Sequence, residues 1–570
     1  MKFLKRVTSF YTKSYFYIWL LILINIVYIP IALFEPKIAS KLTNIVTNNV
    51  DMYLIKRLSI LFVCLLVIRL GLDIFRQSIA LKIKLRVWKY VRQRLFNKLL
   101  RLEVTYFDTT PPGYILSRQV NDSEGIEGLL PDFLITVAAS LIESILIFVF
   151  IFNIDWRLTF VTAILLISTF YVQFVFPLKK LYQEHNEARA IVSSFIQGQI
   201  DKINLIKANH RYKYHEKEYE SIIDTYLSAR RLRDKANIMR SNVSKAIAAM
   251  SYPITLLCGL VLISQNQINI GQLIAFTLYQ SRLFSNITPL INAVPLITLA
   301  NVSFKRIFAV LDLPEEKNGQ RVVELNEQAV ELKNIYFYDN ENKILDNINL
   351  KVKLGESVAL VGESGSGKST IMKLLIGFYR PSEGDIHIHN ISSSTLNLKD
   401  WRKNISYLSQ KPVLFNKTLR YNLSYGNPNI SDEDIIKLLL KLRLGEVLKR
   451  LPYGLDTTIE VDGSNFSGGE QQRLCLAREL LRETSIILLD EATSALDKKT
   501  EIATLQTIQN YAKGKSCILI THRLELLSNV DKIIVLSKGK IIEVGSYNEL
   551  NTPGKHFYDL NIKCVTERVK

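Results

Sequence analysis

At 570 residues the chain is too long for a single hydrophobic core, so a one-domain protein is excluded. The net charge of +19 invites a nucleic-acid reading, but the basic residues cluster between apolar runs (Lys82, Lys84, Arg86, Lys89, Arg92, Arg94), as in cytoplasmic loops of a membrane protein, which argues against nucleic acid as a partner. Five cysteines (Cys64, Cys258, Cys475, Cys517, Cys564) are odd in number, widely spread and without metal-ligand spacing, so neither a disulfide framework nor a structural metal site is expected.

The chain opens on a basic MKFLKR followed by an apolar stretch over 15–34 that lacks a small-residue cleavage site, so it reads as a first spanning helix rather than a removed signal peptide. Five further segments approach the length needed to cross hydrocarbon as helix: 58–77, 133–152, 158–177, 246–264 and 272–298. Only residues 153–157 separate the third from the fourth, which demands a tight helical hairpin. The long intervals 78–132 and 178–245 are basic and helix-periodic, which places both in the cytoplasm together with the two termini.

Charges inside the spans need a reason, because a central charge costs about 2.5–3.5 kcal/mol to insert. Arg69 and Asp73 lie one turn apart in the second segment, and Glu143 sits mid-way in the third. They are expected to be a structural Arg–Asp pair and a carboxylate bonded to a neighbouring helix, or else to line a cavity. Pro253, Pro289 and Pro295 allow kinks in the last two spans. A transmembrane domain is therefore expected over 1–311, a linker over 312–326 and a second domain over 327–570.

In the second domain an apolar strand over 356–361 runs into Gly362, Glu363, Ser364, Gly365, Ser366, Gly367, Lys368 and Ser369, and a helix begins near Thr370. Strand, glycine-rich loop and helix N-terminus in that order form a phosphate cradle: the glycines let successive N–H groups face phosphate oxygens, Lys368 reaches the β- and γ-phosphates, and the Ser369 hydroxyl suits Mg2+. A second apolar strand over 485–489 ends in Asp490 and Glu491. A carboxylate at the C-terminal end of a buried strand commonly orients the magnesium shell, which assigns Asp490, and leaves Glu491 to polarise the attacking water. His522, after another apolar strand, is placed to donate to the γ-phosphate.

GESGSGKS, NFSGGE, IILLDEATSALD and ITHR, in this order and spacing, resemble the cassette of an ATP-binding-cassette transporter, and six spans ahead of one cassette are similar to the exporter-type half-transporters of that superfamily. Tyr106, Phe107, Asp108, Gly113, Ser117, Arg118, Asn121 and Asp122 are similar to that family's first cytoplasmic loop. The resemblance implies an all-α six-helix transmembrane domain followed by an α/β P-loop NTPase domain. It implies that Gln410 senses Mg2+ and touches the membrane domain, that Ser467, Gly468, Gly469 and Glu470 form a signature capping the nucleotide of a second subunit, and that Asp497 couples the two sites. Mg2+ would then be held by Ser369, Gln410 and Asp490. Three departures stand out: Phe466 and Glu470 flank the signature where Leu and Gln are usual, the adenine-stacking aromatic falls one position early at Tyr338 (with Tyr336 behind it), and Glu460-Val461 replaces Gly-Glu. The function implied is ATP-driven export of a hydrophobic or drug-like amphipathic substrate across the cytoplasmic membrane, by alternating access in a dimer, most simply a homodimer. Export of a small peptide, lipid flipping, and an ATP-gated channel or sensor are the alternatives.

Overall fold

The computed structural model describes residues 2–48, 51–175, 178–324, 326–339, 341–493, 496–521 and 524–569. The chain divides into two units: one of Met1–Leu100 with Gly113–Leu313, the other of Arg101–Pro112 with Pro314–Lys570.

The first unit is helical. Its long helices are α1 (Tyr15–Asn48), α2 (Met52–Leu99), α3 (Ala139–Ile154), α4 (Trp156–Val175), α5 (Leu178–Asp201), α6 (Tyr212–Ser264) and α7 (Ile270–Leu311). Among the described residues, five helical stretches are long and apolar enough to cross a membrane: Thr12–Thr47, Met52–Leu99, Pro112–Ile154, Trp156–Gln173 and Tyr212–Ser264. They carry the first five expected spans, the fourth only as far as Gln173, with 176–177 outside the described residues; the sixth, 272–298, lies on α7 and is not among these five. At 53 residues α6 is about 80 Å long, far more than the ~30 Å of a hydrocarbon core, so its basic N-terminal half must stand clear of the apolar layer.

The hairpin between α3 and α4 is as tight as its five residues require. Asp155 leaves the helical conformation, and its carboxylate accepts from the backbone N–H of Arg157 (2.9 Å) and of Leu158 (3.2 Å), capping α4 in the same residue that ends α3.

The expected Arg69–Asp73 pair is not formed. Arg69 reaches across to Glu35 of α1 (2.7 Å), and Asp73 pairs with Arg76 (2.6 Å), whose other guanidinium nitrogen donates to Asn25 (3.1 Å). The reason is burial: Glu35 is almost fully enclosed, and a carboxylate there without a cation costs more than the half-buried Asp73 does. Glu143 does bond to a neighbouring helix, receiving Arg282 of α7 (3.2 Å), which also lies 3.4 Å from Glu35. Two carboxylates and two guanidiniums thus tie α1, α2, α3 and α7 together with zero net charge.

The second unit carries a six-stranded sheet in the order β10–β9–β3–β8–β7–β6 and a four-stranded antiparallel sheet in the order β2–β1–β4–β5. The strands are β1 (Gln328–Asp339), β2 (Asn342–Lys353), β3 (Ser357–Gly362), β4 (Glu383–Ile388), β5 (Ile391–Ser392), β6 (Ile405–Leu408), β7 (Ile486–Asp490), β8 (Ser516–Ile520), β9 (Lys532–Ser537) and β10 (Lys540–Gly545). β3, β6, β7, β8 and β9 are mutually parallel, and β10 is an antiparallel edge. Parallel strands covered on both faces read as unbroken apolar runs, which is why IILL and VALV occur here. α8 (Lys368–Leu375), α9 (Leu398–Lys403), α10 (Gly468–Leu480) and α11 (Lys498–Ala512) pack around this sheet, and Trp401 of α9 is the largest fully buried side chain in its core.

The segment Arg101–Pro112 packs with this second unit. Arg101 C=O accepts from Glu316 N–H (2.9 Å), and the Asp108 carboxylate accepts from the Tyr379 hydroxyl (2.7 Å) with the Lys373 ammonium 3.4 Å away. The stretch likened to a first cytoplasmic loop is therefore divided: Tyr106, Phe107 and Asp108 belong with the cassette, and Gly113 onward with the helical unit, where Arg118 pairs with Asp122 (2.7 Å).

Candidate nucleotide site

Because β3, β8, β7 and β6 run parallel, their C-terminal ends share one edge of the sheet. Ligands of open α/β sheets bind outside that edge. Here it collects Gly362 and the loop after β3, Asp490 and Glu491 after β7, Gln410 after β6 and Thr521 after β8. His522, expected beside them, lies outside the described residues.

The loop owes its shape to its glycines. Gly362, Gly365 and Gly367 have φ of 149°, 79° and 100°. A Cβ at Gly362 would fall 2.2 Å from the Leu536 carbonyl oxygen, and one at Gly367 2.5 Å from the Leu345 side chain. Glycine is therefore demanded at both by backbone angle and by space. Lys368, buried at the first position of α8, curls back so that its Nζ donates to the carbonyls of Gly362 and Glu363, both at 2.8 Å. Burial lowers its pKa, and the nearby Glu491 and Asp490 oppose that shift. Ser369 is exposed and open to a ligand; Ser366 is buried under the loop, while Glu363, Ser364 and Gly365 lie on its outer side and Thr370 is half-buried on α8.

Glu491 adopts φ +54°, an uncommon conformation for a residue with a side chain, one that costs of order 1–3 kcal/mol and persists only where its surroundings hold it. They do. Its N–H donates to Ile520 C=O (3.1 Å), its C=O accepts from the Gln472 amide (2.7 Å), and its carboxylate accepts from the Gln410 amide nitrogen (3.1 Å). Gln410 and Glu491, 81 residues apart, are brought together because β6 and β7 are neighbours. Ser369, Gln410 and Asp490 offer hydroxyl, amide carbonyl and carboxylate oxygens, an all-oxygen donor set that fits Mg2+.

Ser467 is the N-cap of α10, with Gly468 and Gly469 at its start. Its Oγ accepts from Glu470 N–H (3.4 Å), and the Glu470 carboxylate accepts from Ser467 N–H (2.8 Å), a complete capping box. Glu470 also receives Arg450 (2.8 Å). Burial works to raise its pKa, but the bonds from Ser467 and Arg450 outweigh it and hold the carboxyl below the usual range. The departure from Gln to Glu is thus balanced locally. Phe466 is buried in the core beneath this turn. Asp497 caps α11 by accepting from Thr500 N–H (3.0 Å). Glu460 accepts from the Ser464 hydroxyl (2.9 Å), and Val461 is exposed.

Tyr336 and Tyr338 alternate with Phe337 along β1. Phe337 stacks on Tyr379 (centroids 5.2 Å apart), and the Lys343 ammonium lies 5.7 Å from the Tyr336 ring and 5.9 Å from that of Tyr338. Two residues escaped the sequence reading. Gln472 holds the backbone of Glu491, and its one signal is a position two residues past the signature. Arg450 balances Glu470, and nothing in the sequence marks it.

A phosphate cradle, a carboxylate pair and a glutamine on one sheet edge, with a capped signature helix in the same unit, belong together in a known order. The sequence models of the ABC transporter transmembrane region and of the ABC transporter cassette match residues 18–287 and 345–494. The chain belongs to the ABC transporter family. A Bacillus subtilis protein named a probable multidrug resistance ABC transporter ATP-binding/permease protein is 31% identical over 489 residues, 83% of this chain and 72% of that one. A Rickettsia typhi putative export ATP-binding/permease protein is 30% identical over 86% of this chain and 87% of its own length, and the ATP-dependent lipid A-core flippase of Syntrophus aciditrophicus is 27% identical over 90% and 86%. The fold matches a bacterial Atm1-family ABC exporter solved with ATP bound, at TM-score 0.83 and 24% identity over 96% of this chain and 98% of that one. The resemblance drawn from the motifs therefore holds: this ABC transporter is an exporter-type half-transporter, with a helical membrane domain fused to one ATPase cassette.

Proposed function

We propose that the protein works as a homodimer in the cytoplasmic membrane and exports an amphipathic or hydrophobic substrate, each turnover driven by hydrolysis of ATP–Mg2+. The observation that carries this is the Glu491 carboxylate, held by Gln410 on the same sheet edge as Lys368 and Asp490. On this reading residues 362–370 cradle the phosphates, with Lys368 leaving its two carbonyl partners for the β- and γ-oxygens. Ser369, Gln410 and Asp490 would hold Mg2+, which would shield phosphate charge. Glu491 takes the proton of the attacking water, His522 donates to the γ-phosphate, and Tyr338 stacks on adenine. Ser467, Gly468, Gly469 and Glu470 present the N-terminus of α10 to the nucleotide of the second subunit, a natural anion site, and Asp497 relays between the two sites.

Closure of two cassettes on two nucleotides must favour the closed state by about 5.5 kcal/mol to swing the population from 1:99 to 99:1. Two triphosphates, each gripped from both sides by charge-assisted hydrogen bonds, are a sufficient source. Flipping of a lipid is a second reading, favoured by the similarity to the lipid A-core flippase. The test is accumulation of a fluorescent amphiphile in inside-out vesicles. ATP is expected to drive uptake above that of protein-free vesicles and ADP is not; equal signals with and without ATP would contradict export.

A further inference from the structure

Within the helical unit, α4, α6 and α7 line an open cavity of about 610 Å³. Of its 17 lining residues, eight are serine or threonine and none is Asp or Glu, yet Arg240 and Lys245 both face it. That charge contrasts with the arginines inside the spans. Arg69, Arg76 and Arg282 are each paired to a carboxylate of the bundle. Among the described residues neither Arg240 nor Lys245 has one: Arg240 donates only to the neutral amide of Asn237 (3.1 Å).

The wall is also organised. Gln280, fully buried, donates to the hydroxyls of Thr255 (2.8 Å) and Thr162 (3.2 Å), which fixes α7 against α6 and α4. Gln173 donates to Ser244 (3.1 Å), and its amide oxygen is buried with no donor facing it. Two cations without a carboxylate partner and many hydroxyl donors are the complement of an anionic, hydrogen-bonding group. Tyr252, Phe284 and Ile287 on the same wall supply an apolar surface for a hydrocarbon tail. Arg240 and Lys245 stand at the cytoplasmic start of the fifth span, at the level of the inner-leaflet headgroups.

We propose that this cavity receives the anionic head, phosphate or carboxylate, of an amphiphilic cargo entering from the cytoplasmic leaflet. The proposal rests on the transport reading and narrows its substrate class. It is tested on the full-length protein in nanodiscs of zwitterionic lipid, by ATPase stimulation with three probes: dodecyl phosphate, dodecyltrimethylammonium and inorganic phosphate.

Dodecyl phosphate is expected to half-stimulate at a concentration roughly tenfold or more below that of the cationic probe, because charge-assisted bonds favour the anion. The Arg240→Glu/Lys245→Glu variant is expected to invert that order, and Arg240→Lys/Lys245→Arg to keep it. Equal potency of both amphiphiles on the wild type, or an order unchanged in the charge-reversed variant, overturns the proposal. Inorganic phosphate matching dodecyl phosphate would overturn its amphiphile part. A wild type that turns over no ATP with any probe would instead sink the transport reading on which it rests.

Discussion

Replacing Glu491 by glutamine is expected to lower ATP turnover by about 10²–10⁴-fold, the usual contribution of a positioned general base, while leaving ATP binding intact. The amide is isosteric, so it keeps an acceptor for the Gln410 amide nitrogen, and the backbone bonds of residue 491 to Ile520 and Gln472 do not involve the side chain. What is lost is the capacity to take a proton. The cradle and Lys368 are untouched, so the variant should bind ATP and accumulate in the closed dimer. Single-turnover hydrolysis, ATP binding and the dimer fraction are the measurements that check this, and wild-type turnover would remove Glu491 from the reaction.

The second large effect lies away from the chemistry. Trp401 is fully enclosed, and its indole N–H donates to Leu375 C=O (2.9 Å), the last residue of the helix whose first residue is Lys368. Its ring lies 3.2 Å from where a Cβ on Gly377 would sit, so the turn after α8 is moulded on it. Trp401→Ala is expected to cost the cassette roughly 3–5 kcal/mol through the cavity it leaves, with the Leu375 carbonyl stranded besides. Trp401→Phe refills most of the volume and should cost distinctly less. Because α8 carries Lys368, proposed above to bind the phosphates, the alanine variant should also bind ATP more weakly. Denaturant unfolding and nucleotide titration of the full chain measure the two effects. A stable Trp401→Ala protein with wild-type ATP affinity would show that α8 is held by other contacts.

The shape of the glycine-rich loop was legible in the sequence because its cause is local. Three glycines, a strand before them and a helix after them lie within twenty residues, and Gly362 and Gly367 are needed by their own φ angles and neighbours. The tight hairpin at residues 153–157 was legible for the same reason. Gln410 was marked only through family resemblance, and its contact with Glu491 was not read from the sequence at all, since it depends on β6 lying beside β7, a topological fact that no local pattern carries.

Arg69 shows how local reasoning misleads. Helical spacing puts Asp73 on its face, yet the partner that decides is Glu35 on another helix, because its burial makes pairing compulsory. The grouping of Arg101–Pro112 with the cassette was likewise hidden, since the Asp108–Tyr379 bond joins residues 271 apart.

In the proposed dimer, Lys368 of one subunit and Ser467 of another complete a single site. Co-expressing Lys368→Ala and Ser467→Arg subunits, each inactive as a homodimer, tests it most directly. A shared site predicts that mixed dimers regain one intact site of two, giving roughly half of wild-type turnover in isolated mixed dimers, and about a quarter in the unsorted pool, if the two sites act independently. No recovery in isolated mixed dimers would contradict it, because every site confined to one chain would then carry a lesion.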